Sequence, residues 1–436
     1  MTGDMAMRIR TIVAISALLL SGCKSDGSAT SDTGDGLANA KITVCPDGTI
    51  IKGNKACPTT PTHPPSPAPA PAPSTTTVLA TSLLGAAAIA DNFDATTWLE
   101  PGEARSPITD GSPGAFRFTC LAGQISRDDP IVYPGQPGKS HLHQFFGNTG
   151  TNASSDYQSL RTTGGSTCTR STGSSPQRSA YWMPAMLDGA GNVVKPDFVN
   201  TYYKQLPAND PRCSSTVVSQ DNRAAGPSIG KCVPMPNGLR FILGYNMATM
   251  SGGPADMTSR DWEAMGFDCM DRPVGANSYT GIQRTMAAIL ATGRCPAGAY
   301  LRVYLTFPQC WDGKNLDSPD HRAHIVQPPQ SICPQTHPYK VPEIAIQAFF
   351  SVDENFFAGK WRLASDEMMP GVAAGTTLHM DYWEAWSRTI KDIWQKNCVD
   401  GPSSCSAGNV GDGRQIRGMQ QVGAYPNHVV VPLSSI

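Results

Sequence analysis

The sequence predicts a mainly β (α+β) fold: an antiparallel β-sandwich-like domain with a few short helices and long disulfide-stapled loops. The first reason is alternation. Leu301, Val303, Leu305 and Phe307 interleave with Arg302, Tyr304 and Thr306, the period-two pattern of a strand with one buried face. The second is punctuation, since 42 glycines and 37 prolines interrupt the 436 residues too often for long helices. The third is the cysteines: 13 less Cys23 leaves 12, an even set that reads as a disulfide framework in an oxidising compartment.

Further extended runs are Phe116 to Leu121, Leu239 to Gly244, Ile344 to Val352 and Val429 to Leu433. Their Gly/Pro-rich separators favour a sandwich over a parallel sheet. Two helices are expected. Ile282, Met286, Ile289 and Leu290 share a helical face before a Gly293 cap. Trp383, Trp386, Ile390, Ile393 and Trp394 form an apolar stripe from Tyr382 to Lys396, with Glu384–Arg388 and Asp392–Lys396 pairs on its solvated side. Cys398 with Cys405 and Cys45 with Cys57 are the closest-spaced cysteines and the expected local disulfides. No Cys-x-x-Cys occurs, which argues against a zinc ribbon or a thioredoxin-like site.

The N-terminus reads as an export signal. Arg8 and Arg10 precede the apolar run Ile12 to Leu20, too short for a mature membrane span, and Leu20-Ser-Gly-Cys23 resembles a bacterial lipobox. Residues 1–22 are then a lipoprotein signal peptide and Cys23 the lipidated first residue. By resemblance to outer-membrane lipoproteins, Lys24 favours outer-leaflet sorting, so the expected location is the outer membrane or cell surface. Residues 23–40 are a polar tether, 41–58 a small Cys-closed hairpin, 59–78 a Pro/Ala-rich stalk and 79–436 the large domain. The lipid is the only expected membrane contact. A net charge of -1 argues against a nucleic-acid partner.

Histidine is scarce, at eight residues, which makes its clusters informative. His141 and His143 stand two apart, as do His379 and Asp381, so on strands each pair faces one side. These pairs suit ligands for a divalent transition metal, or acid/base groups. Asp381 also fits a helix N-cap, with Glu384 three residues on. A loop after the Tyr300 strand adds Asp312, His321 and His324, with Asp312-Gly313 equally suited to a turn. The candidate catalytic set is therefore His141, His143, His321, His379, Asp381 and Asp312, and the candidate metal ligands are His141, His143 and His379. Trp182, Trp311 and Trp361 lie outside the helical stripe and are candidates for stacking on sugars or for core burial.

The segments Asp128 to Asn148, Arg178 to Met186, Phe307 to His321, Cys333 to Pro338 and Val341 to Ile344 together resemble a family known only as domain of unknown function 1996. That family occurs in secreted bacterial and fungal proteins, in fungi sometimes beside WSC modules associated with cell-wall glycans. The resemblance covers about Phe116 to Arg414 and supplies no catalytic assignment; no WSC module is evident here. Two readings follow: an extracytoplasmic glycan hydrolase or lyase acting on cell-wall or environmental polysaccharide through a His-rich groove, or a non-catalytic glycan- or protein-binding surface domain. No Walker loop, Rossmann fingerprint, Gly-x-Ser-x-Gly elbow or His-Glu-x-x-His motif is present.

Overall fold

The computed structural model describes residues 42–44, 50–52, 83–171, 173–213, 215–216, 229–254, 265–271, 277–328, 332–420 and 428–436. The chain divides into two compact units, Met1–Ser74 and Thr75–Ile436. In the first, strands Ile42–Val44 and Ile50–Lys52 pair antiparallel, with Thr43 opposite Ile51. Cys23, Cys45, Cys57 and the stalk lie outside the described residues.

The second unit is mainly β. Its two largest sheets use strands β1 (Gly114–Cys120), β2 (Ile125–Ser126), β3 (His143–Gly147), β4 (Ala180–Pro184), β5 (Phe198–Gln205), β6 (Arg240–Gly244), β7 (Met265–Met270), β8 (Tyr300–Thr306), β9 (Glu343–Ser351), β10 (His379–Trp383) and β11 (Ser404–Ser406). One sheet has the order β7-β8-β9-β5-β1-β11 and the other β6-β10-β4-β3-β2. All neighbours are antiparallel except β11 with β1. The alternation read at Tyr300 is present in β8, where Leu301, Val303 and Leu305 are fully buried between half-buried neighbours.

Aromatic residues fill the space between the two sheets. Register places Phe146, Tyr181, Tyr382 and Phe241 side by side across β3, β4, β10 and β6, and all four are buried. From the opposing sheet the Tyr203 hydroxyl meets those of Tyr181 (2.7 Å) and Tyr382 (3.2 Å), and accepts from Trp386 Nε1 at 3.3 Å. Three hydroxyls thus satisfy one another in the core, where an unpartnered one would cost about 1–3 kcal/mol.

Among the described residues five disulfides staple the loops: Cys120–Cys168, Cys213–Cys232, Cys269–Cys295, Cys310–Cys333 and the expected Cys398–Cys405. This number points to an extracellular or otherwise oxidising setting. Among the described residues no helix is long and apolar enough to cross a membrane.

The helices are shorter than the sequence suggests. Met286–Ala291 forms as expected, capped by Thr285, but without Ile282. The Trp stripe divides: Trp383 ends strand β10, and the helix starts only at Arg388, with Ser387 as its N-cap, running as α-helix to Trp394 and on as a π-helical segment from Gln395 to Asp400. Asp381 is therefore a mid-strand residue and not a cap. Glu384 is also not solvated. It is fully buried, accepting from Lys391 Nζ at 2.8 Å and Gly238 N at 2.8 Å, while Arg388 pairs with Asp392 at 3.6 Å. Lys391 donates in addition to Met235 O (3.0 Å) and Asn237 Oδ1 (2.5 Å), so the ammonium is fully partnered although burial lowers its pKa. Breaking such a pair on one side leaves a buried charge. Glu384→Ala is expected to lose about 3–5 kcal/mol in urea unfolding, and Glu384→Leu/Lys391→Met to recover most of it; equal losses in both would show that packing, not the orphaned charge, sets the cost.

Candidate metal centre

Strand pairing determines which side chains meet on the outer face of the five-stranded sheet. With Tyr382 and Met380 turned into the core, His379, Asp381 and Trp383 must face the other way. Register sets Asp381 opposite Trp182 on β4 and Ile242 on β6, and His379 opposite Gly244. Gly244 has φ +95°, and a Cβ there would lie 2.7 Å from His379 Cα, so the strand beside this histidine requires glycine. On β3, His143 and Phe145 share the outer face, with Phe145 opposite Trp182. His141 sits just before β3, beneath the loop that runs from Arg127 and is closed by the Ser140 N to Arg127 O hydrogen bond.

Three imidazoles converge there. Ring centroids lie 4.2 Å apart for His141 and His143, 5.0 Å for His141 and His379, and 5.9 Å for His143 and His379. One ligand atom from each lies within 4.8 Å of the others, and the group can hold a metal ion. A second group, Asp129, His143 and Asp381, meets the same limit and shares His143. His143 and Asp381 are buried, Asp129 and His379 nearly so, and His141 is half-buried.

Their hydrogen bonds assign the free lone pairs. His143 Nδ1 lies 3.0 Å from Asp128 O, and His379 Nδ1 lies 2.8 Å from Thr377 O. A carbonyl only accepts, so each Nδ1 carries the proton and each Nε2 keeps a lone pair. This is the supporting arrangement that metal-binding histidines use. The Nε2 atoms of His141 and His143 and both Asp381 carboxylate oxygens are buried without a protein partner, which native structures avoid unless something else satisfies them.

The electrostatics agree. Burial first, then neighbouring imidazoles, depresses His141; burial holds His143 near 3 and His379 near 4. Burial, reinforced by Asp129, pushes Asp381 well above the usual carboxylate range, with Arg322 opposing; burial also raises Asp129. Neutral imidazoles and destabilised carboxylates are groups whose burial a cation would compensate.

The other sequence candidates are outside the two ligand groups, although His321 is near enough to act on Asp129 by charge. His321 Nδ1 pairs with Asp317 Oδ1 at 2.8 Å, and the His321 carbonyl accepts from Ile242 N on the edge strand. Asp317 also binds Arg240 at 2.7 Å, whose guanidinium lies 4.4 Å from the Trp383 ring centroid. His324 is a buried structural residue between Ser318 Oγ (2.8 Å) and Arg240 O (2.9 Å). Asp312 closes its own turn, accepting from Lys314 N and Asn315 N. Trp182 and Trp311 are fully buried and Trp361 is 2% exposed, so none offers a ring face for stacking. Trp311 Nε1 donates to Asn315 O. Sequence reasoning did not single out Asp129 or Arg322; the one available signal was the acidic pair Asp128-Asp129 before Pro130 and the apolar Ile131-Val132, and no periodicity marks it.

The fold and centre define a class: a mainly β, disulfide-stapled domain with a buried three-histidine, two-carboxylate centre. The profile of the domain of unknown function DUF1996 matches residues 129–386, and the chain belongs to that family. Every residue of the centre lies within this span. No curated protein and no solved structure matches the chain.

Acid titration of the metal-free protein tests the burial. A histidine whose folded pKa lies below its unfolded value of about 6.5 leaves the unfolded chain binding protons first, so stability falls as pH drops from 6.5 toward the folded value. For His379 this amounts to about 3 kcal/mol by pH 4. The raised Asp381 and Asp129 act in the opposite sense, so the informative comparison is with one imidazole removed. Chelator-treated wild type is expected to lose more urea stability than His379→Gln between pH 6.5 and 4; parallel losses would mean that His379 is not held neutral.

Proposed function

We propose that this chain is a lipid-anchored, extracytoplasmic, metal-dependent enzyme that cleaves polysaccharide, with His141, His143 and His379 holding a divalent transition metal. The observation that carries the metal reading is the tautomer assignment. Two imidazoles commit Nδ1–H to backbone carbonyls, which leaves Nε2 lone pairs beside the partnerless His141 Nε2. Nitrogen donors of this kind suit zinc, copper, iron or nickel, and three protein ligands leave a coordination position for water or substrate. A metal ion there supplies Lewis acidity and lowers the pKa of a coordinated water toward neutrality.

The chain's own residues divide the remaining work. Asp381 and Asp129, on the far side of His143, are placed to take and hold a proton. Phe145, Trp182 and Trp383 keep the floor of the centre dry. His141 is the least buried of the three imidazoles and marks the side from which a substrate would enter. The glycan assignment draws support from the lipobox at Cys23, from the Pro/Ala-rich stalk that would hold the domain away from a membrane, and from the wall-glycan setting of fungal relatives noted above. Hydrolysis and elimination both remain within the chemistry of such a centre, and the products distinguish them.

The test is elemental analysis of the intact, oxidised, untagged protein. About one transition metal per chain is expected, lost in His141→Ala/His143→Ala, together with new reducing ends or unsaturated ends from a glycan panel. Failure to bind zinc, copper, iron, nickel or manganese after reconstitution would remove the metal reading; bound metal without products across the panel would remove the glycan reading.

A further inference from the structure

We infer that a cavity lined by none of the residues of the histidine centre binds an anionic sugar unit, specifically the carboxylate of a uronic acid. The cavity measures about 400 Å³ and is lined by Thr97, Trp98, Arg170, Ser171, Arg417 and Gly418. That volume falls at the lower end of the range for small-molecule sites. The ligand's polysaccharide origin rests on the function proposed above; the anion site itself does not.

Three chain segments build it, and backbone hydrogen bonds zip them together. Arg417 N donates to Trp98 O at 2.8 Å, Arg170 N donates to Gly418 O at 2.7 Å, and Thr169 bridges to Met419. Cys168, two residues before Arg170, is tied to Cys120 on β1. Trp98 ends a short 3-10 turn capped by Asp94 and packs edge-on against Phe93 at 6.1 Å. The walls are thus set by main chain and a covalent staple, the condition for a preformed site.

The chemistry of the lining selects the ligand. Two guanidiniums border one cavity in a protein whose net charge is only -1, so the positive charge is local. Arg417, 62% exposed, is loosely paired at 3.4 Å with Glu100, which is 34% exposed. Arg170 pairs with no carboxylate among the described residues. Guanidinium forks favour planar carboxylates through paired N–H donors, and an indole beside them offers an apolar wall to the C–H face of a sugar ring. An isolated inorganic anion would make no use of Trp98, and a neutral sugar would make little use of two arginines. Thr97–Trp98 and Arg417–Gly418 lie outside the family-matched span of residues 129–386, and Arg170–Ser171 lie within it, so the cavity joins the matched span to its flanks.

Calorimetric titration of the intact protein with tetragalacturonate, maltotetraose and inorganic phosphate tests the assignment. Tetragalacturonate is expected to bind, to weaken with salt, and to lose at least about tenfold in affinity in Arg170→Ala and Arg417→Ala. Trp98→Ala should weaken it about fivefold, and maltotetraose should not bind in the cavity. Binding should persist in His141→Ala/His143→Ala, which separates this site from the metal centre. No uronate binding by protein with intact disulfides and native circular dichroism overturns the proposal. So does phosphate binding of equal strength that ignores Trp98→Ala. Should uronate bind while the metal analysis fails, the cavity stands and the metal reading falls; metal and cleavage of neutral glycans without uronate binding gives the reverse.

Discussion

The two-residue period of strand β10 is the constraint from which the rest follows. Within His379-Met-Asp-Tyr-Trp383, one parity sends Met380 and Tyr382 into the sandwich core and the other sends His379, Asp381 and Trp383 to the outer face. A one-residue slip would put a carboxylate and an imidazole between the sheets and expose a tyrosine. The slip is opposed from both sides. Tyr382 is held by the hydroxyl of Tyr203 on the facing sheet, and Gly244 on β6 admits the close approach that His379 requires. The register that packs the core therefore also aims the candidate site.

Having been aimed, the site is tuned by backbone. Asp128 O and Thr377 O are fixed acceptors that choose the tautomers of His143 and His379 without using a titratable partner. The loop that supplies Asp128 is itself shaped by acids: Asp129 Oδ1 accepts from Ile131 N and Val132 N, and Asp128 Oδ1 from Gly138 N. One short acidic pair thereby folds the loop, orients His143 and contributes a buried carboxyl. Arg322, which donates to Ile242 O and Gly244 O, brings positive charge toward Asp381 while remaining bound to the edge strand. Two carboxyls that burial disfavours as anions and one guanidinium are thus arranged around imidazoles that burial keeps neutral.

Much of this was legible in the sequence, and the misses have physical causes. The mainly β class, the β8 alternation, the short helix at Met286 and the Cys398–Cys405 bridge follow from period, caps and spacing, which are local signals. The His141/His143 pair and His379 were legible as same-face spacings, but their convergence was not, because 235 residues of chain separate His379 from its nearest partner, His143. The tryptophan stripe misled because Trp383 and Trp386 stand three apart, a spacing that a helix and a strand followed by a turn can share. Glu384 misled similarly: an acid on a supposed polar face is in fact neutralised in the core by Lys391, seven residues on. Asp312, His321 and His324 have the composition of a site but spend their polar atoms on turns and strand edges. Only the assembled hydrogen bonds separate that use from ligation.

Access gives the final constraint. His143, His379, Asp129 and Asp381 are enclosed by strands β3, β4, β6 and β10 and by the loop from Arg127, whereas His141 stands at the margin of strand and loop. His141 is therefore the member of the group that reaches toward solvent, the other four being enclosed by packed side chains. The same loop presents Arg127 there, exposed and close enough in charge to depress His141. Positive charge thus stands beside the least buried of the three imidazoles, where burial and charge act together to keep it neutral.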